Sequence, residues 1–257
     1  MPEGISGAGS AFGWGLAAAS GVLAGTILGL IAKLPHRVIA AVMSFGAGVL
    51  VSAASISIKI TSEALIVAGA VLTAAGIVAG AALFSIANAA LPTAKERKRC
   101  GECKPQLSEA EAPSSGKSIV LGTVLDAFPE ALVLGITLRV SGSNVALVVA
   151  ALALSNVSEA LSATTGMRVA SRSSTYVLSL WSGIALGTAA MTALAFYLLG
   201  DLSPNLTAIL KAVGAGAIIA MAAETMAPEV FHNGPRYSGL LAALGFAALI
   251  LLGEVAK

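Results

Sequence analysis

The sequence predicts an all-α, polytopic integral membrane protein with about eight transmembrane helices. Of its 257 residues, 57% are hydrophobic and only 11% are charged, and the mean hydropathy is +0.91. Soluble domains carry about 25% charged residues and have too little interior to hide this much apolar surface. The apolar residues also fall into continuous runs, and a helix needs about 20 such residues to cross the hydrocarbon core. These runs are rich in Ala and Gly and do not alternate with polar residues, which excludes membrane β-strands.

The runs are Phe12 to Ala32, Val38 to Ile58, Ala64 to Ala90, Ser118 to Leu138, Asn144 to Gly166, Tyr176 to Leu199, Leu206 to Pro228 and Ser238 to Val255. The third is long enough to be tilted or to extend into the cytoplasm. Residues 1–257 read as one transmembrane domain, with 91–117 as a flexible cytoplasmic loop between helices three and four. Loops after the odd-numbered helices hold Lys33, Arg37, Lys95, Arg97, Lys98, Arg99, Lys104, Lys117, Arg168, Arg172 and Arg236, which is 11 of the 15 basic residues. Basic loops stay in the cytoplasm, so both termini are expected on the non-cytoplasmic side of a plasma or inner membrane. Lys211, near the outer end of helix seven, is expected to snorkel to the interface.

Glycines recur at four-residue spacing: Gly21, Gly25 and Gly29 in helix one, Gly76 and Gly80 in helix three, Gly183 and Gly187 in helix six. Such stripes let helix backbones approach closely in lipid. Phe45-Gly46-Ala47-Gly48 in helix two echoes Val213-Gly214-Ala215-Gly216 in helix seven. The two helices run in opposite directions in this topology, as an inverted repeat requires.

Four carboxylates fall inside apolar runs: Asp126, Glu130, Glu159 and Glu224. An acid at the bilayer centre costs roughly 2.5–3.5 kcal/mol on insertion scales and calls for a partner, a proton or a function. Asp126 and Glu130 are i and i+4 on helix four and share a face. Ser155 and Asn156 stand four and three residues before Glu159 on helix five. Pro129 removes a backbone N–H between the two acids of helix four, a feature tolerated where the helix lines protein or a wet cavity. The two oxygen-rich faces are expected to meet at a polar cavity; a purely structural contact between helices is the other reading.

The motif Asp126-Ala127-Phe128-Pro129-Glu130-Ala131 resembles the His-Asn-x-Pro-Glu-Gly signature of the ZIP (Zrt/Irt-like) metal transporters. Ser155-Asn156-Val157-Ser158-Glu159-Ala160 resembles the companion His-Glu-x-Pro-Glu-Gly signature, and Glu224-Thr225-Met226-Ala227-Pro228-Glu229 resembles a third family segment. The resemblance implies a ZIP-like helix bundle that moves a divalent metal cation toward the cytoplasm. It implies a mid-membrane metal site of Asp126, Glu130, Asn156 and Glu159, with Ser155 as a further oxygen ligand. Glu224 and Glu229 would be secondary acids toward the cytoplasmic mouth.

The chain departs from the signatures at Ala127, Ser155, Ser158, Ala131 and Ala160, and helix six has no acid between Trp181 and Met191. Every candidate ligand is an oxygen. That favours manganese or ferrous iron, relative to zinc, more than a His-containing site would. The expected partners are the metal ion as substrate (zinc, manganese or iron) and the lipid bilayer, with a homodimer left open and no nucleic acid or organic cofactor. No nucleophile–base pair or phosphate-binding loop points to an enzyme. The alternative is a ZIP-like scaffold or sensor that has lost metal chemistry. Cys100 and Cys103, in the cytoplasmic loop, read as idle thiols or as half of a metal site, and His232 as an interfacial residue.

Overall fold

In a computed structural model of the chain, residues 7–64, 69–91, 115–140, 145–199, 202–228, 230 and 235–255 are described. Among them every element is helical. The helices are α1 (Ala8–Ile31), α2 (His36–Ala64), α3 (Gly69–Ala90), α4 (Ser115–Val140), α5 (Val145–Val169), α6 (Ser174–Leu198), α7 (Pro204–Met221) and α8 (Ser238–Val255). A π turn, Ala222–Met226, continues α7. Seven helices among the described residues, with α7 extended through its π turn, are long and apolar enough to cross a membrane; α8 is apolar but shorter. The protein is thus an all-helical, membrane-type bundle.

Two boundaries differ from the sequence expectation. The third run does not begin at Ala64: that residue ends α2, and α3 starts at Gly69 with 22 residues, an ordinary spanning length that needs no extension. Helix α4 begins at Ser115, inside the segment expected as loop. Cys100, Cys103, Glu229 and His232 lie outside the described residues.

The helices pack as two groups. In the first, α1 lies against α5 and α6, and α4 against α6; in the second, α2 lies against α8 and α7, and α3 against α7. The groups meet where α2 crosses α5 and α4 crosses α7. Glycine allows the close crossings. Side-chain carbons built on Gly21 and Gly25 of α1 would run into the backbone of α5 at Ala153 and Val157, and one on Gly135 of α4 would sit 2.6 Å from the Ala195 Cβ of α6. Gly183 and Gly187 have the same spacing but face outward and meet nothing within 4 Å, so this pair does not pack against the described residues.

The second group contains a matched pair of contacts. A Cβ on Gly48 of α2 would lie 2.7 Å from the carbonyl carbon of Ala242 in α8, and one on Gly245 would lie 3.0 Å from that of Phe45. Likewise, a Cβ on Gly216 of α7 would lie 2.7 Å from the carbonyl carbon of Ile77 in α3, and one on Gly80 would lie 2.6 Å from that of Val213. Phe45 and Gly48 have the same spacing as Val213 and Gly216, and Ala242 and Gly245 the same as Ile77 and Gly80.

Arg168, in the last turn of α5, ties that helix to the end of α1. Its Nη1 donates to the carbonyls of Gly29, Leu30 and Ala32 at 3.0–3.2 Å, and these include acceptors that the end of α1 leaves without a helical donor.

Candidate functional site

Asp126, Glu130, Ser155, Asn156 and Glu159 are all buried. Helix α4 runs unbroken through Pro129, and the Pro129 carbonyl and the Val133 side chain face Gly214 of α7. This packing fixes how α4 is rotated. Thr123, Ala127 and Glu130, at i, i+4 and i+7, then share an adjacent flank and line a small enclosed cavity.

The rest of the wall is Val22 from α1, Asn156, Glu159 and Ala160 from α5, and Trp181, Ile184 and Thr188 from α6. The cavity measures about 10 Å³, room for about one water. Three of the five expected ligands, Glu130, Asn156 and Glu159, therefore come to one place. The Asn156 amide is oriented by α1: Nδ2 donates to the Ala18 carbonyl at 3.2 Å. Only the NH₂ end of the amide can serve a carbonyl acceptor, which leaves the amide oxygen as the group that can meet a cation.

Asp126 and Ser155 do not line the cavity. Asp126 lies one turn before Glu130, between the cavity wall and the face that meets α7. Ser155 is on the α2 side of α5: the Cβ position of Gly46 is 3.7 Å from its Cα, and the Ser158 hydroxyl donates to its carbonyl at 2.7 Å. Its own Oγ is buried without a hydrogen-bond partner. Among the described residues, no three His, Cys, Asp or Glu side chains form a group that could hold a metal ion.

Glu224 is exposed rather than enclosed. It sits in the π turn and accepts from the Ser85 hydroxyl and, at 2.9 Å, from the Asn88 side-chain amide, both on α3. Among the described residues, neutral donors on a neighbouring helix thus meet this acid. Lys211 does not snorkel: it is 2% exposed, one turn from Gly214 and enclosed by the packing of α7.

Three wall residues with polar groups, Thr123, Trp181 and Thr188, were not singled out by the sequence reading. Thr123 shares a face with Glu130 at i+7, so spacing alone could have found it. Thr188 and Trp181 belong to α6, whose lack of acids drew attention away from it. The Thr188 hydroxyl donates to the Ile184 carbonyl at 2.9 Å, so its oxygen offers lone pairs to the surroundings. Trp181 is 1% exposed, and its Nε1 has no hydrogen-bond partner among the described residues. Compared with family models and with curated proteins, the chain matches none.

Proposed function

We propose that the chain is a ZIP-like transporter that carries a divalent cation toward the cytoplasm, with Glu130, Asn156 and Glu159 at the core of its site. One observation carries the reading. Two carboxylates and an amide, from α4 and α5, line one enclosed cavity whose wall, among the described residues, contains no Lys or Arg. Two negative charges match a divalent ion, and in a low-dielectric site such a match offsets the cost of burying each acid. Asp126, one turn away, and Ser155, on the α2 side, are outlying oxygens for the ion as it moves.

The architecture supports the same reading. The whole cavity wall comes from the first group of helices, and the second group abuts it through α2 and α7. Rocking of one group against the other would expose the cavity to each side in turn. The matched glycine contacts of α2 with α8 and of α7 with α3 support an inverted repeat. With α8 as an eighth span, both termini lie outside.

One observation favours the scaffold or sensor reading: no three His, Cys, Asp or Glu side chains come together among the described residues. Uptake separates the two. Purified protein in lipid vesicles is expected to take up Mn²⁺, and Glu130→Ala and Glu159→Ala are each expected to abolish uptake while inserting and folding normally. A wild-type protein that neither binds nor moves Mn²⁺ or Zn²⁺ would leave the scaffold reading standing.

A further inference from the structure

We propose that Trp181 lowers the cation affinity of this cavity, because its indole N–H holds a water where the cation would bind; the inference rests on the transporter reading above. Trp181 belongs to the cavity wall and is almost completely buried, and its indole N–H has no acceptor among the described residues. A buried N–H without a partner is costly, and polar cavities with room for a water relieve that cost by hydrogen bonding to one. Here the space is about one water in size, and the same wall carries Glu130 and Glu159. A single water can accept from the Trp181 N–H and donate to the carboxylates.

A cation entering the cavity must displace or reorient that water. Trp181 then loses its acceptor, and the positive end of the N–H dipole faces a positive ion. Indole nitrogen is a donor only and cannot coordinate a metal. Both effects favour the cation-free state, so Trp181 opposes tight capture. For a transporter this aids release. Thr188, seven residues on along the same helix, plays the opposite part: its proton is committed to the Ile184 carbonyl, and its oxygen can only attract the ion.

The test compares Mn²⁺ affinity and uptake for the full chain with those of two variants. Trp181→Phe removes the N–H but also some volume. Replacing Trp181 with 3-benzothienylalanine, in which sulfur takes the place of the N–H, keeps the bicyclic shape. Both are expected to bind Mn²⁺ roughly fivefold or more tighter, the lower end of what an unsatisfied buried donor costs. KM for uptake should fall and turnover should slow. A residue that merely filled space would give unchanged or weaker binding on truncation, and no effect from the isosteric replacement. If wild type binds Mn²⁺ and the isosteric variant binds no more tightly, Trp181 has no such role. If wild type does not bind at all, the transporter reading falls first and takes this inference with it.

Discussion

Substituting Gly48 with Ala tests the packing that holds the second helix group together. The added Cβ would lie 2.7 Å from the carbonyl carbon of Ala242, against the 3.4 Å at which ordinary contact begins. The carbonyl oxygen of the same residue lies nearer still, and the obstacle is backbone, which cannot rotate away as a side chain can. Helices α2 and α8 must therefore separate. Overpacking of this kind costs about 1–3 kcal/mol. For a chain of this size each kcal/mol lowers Tm by roughly 2–4 °C, so a fall of roughly 2–12 °C is expected on thermal unfolding in detergent. Gly216→Ala meets the carbonyl carbon of Ile77 at the same 2.7 Å and is expected to match it. Gly183→Ala is the control: nothing lies within 4 Å of its Cβ position, and Ala exceeds Gly in helix propensity by about 1 kcal/mol. Its Tm should hold or rise. Equal losses in all three variants would refute the reasoning, because they would reflect intolerance of any change in a membrane helix.

Two further outcomes follow from particular contacts. Asn156→His places an imidazole on the cavity wall and should raise the affinity for Zn²⁺ relative to Mn²⁺, since imidazole suits zinc. Asp126→His, off the wall, should change that ratio less; calorimetric titration with each metal compares them. Arg168→Ala removes three hydrogen bonds at the end of α1, at a cost of about 1.5–3 kcal/mol if only one counts in full. Tm should fall accordingly, with Arg168→Lys recovering part of the loss.

The helices were legible because a membrane span must satisfy its own backbone and present apolar side chains, and both demands are local. What stayed hidden was set by neighbours. The stretch Ile60 to Glu63 contains Thr61, Ser62 and Glu63 and follows the apolar span His36–Ile58, yet helix α2 itself runs on to Ala64, so hydropathy placed Ala64 with the next helix. Gly21 with Gly25 and Gly183 with Gly187 are identical patterns in sequence. One pair is buried and the other faces outward, because spacing defines a face but not its direction. Lys211 looked like an interfacial residue until the fold enclosed it.

The candidate site was legible only in part. Helical spacing grouped Glu130 with its own turn, and Asn156 with Glu159. Which helix closes the cavity is a tertiary fact, and α6 offered a hydroxyl and an indole where only charge was being sought. Glu224 illustrates the converse. Its partners Ser85 and Asn88 are over 130 residues away in sequence, so its environment could not be read from its own helix.

The central claim is that a cation binds between α4 and α5, on the cavity wall of Glu130, Asn156 and Glu159. Anomalous scattering from crystals soaked in Mn²⁺ tests it most directly. The account predicts a peak within coordination distance of the Glu130 and Glu159 carboxylates, absent from crystals of Glu159→Ala treated in the same way. A peak elsewhere in the chain with that cavity unlabelled, or one that persists unchanged in Glu159→Ala, would contradict it.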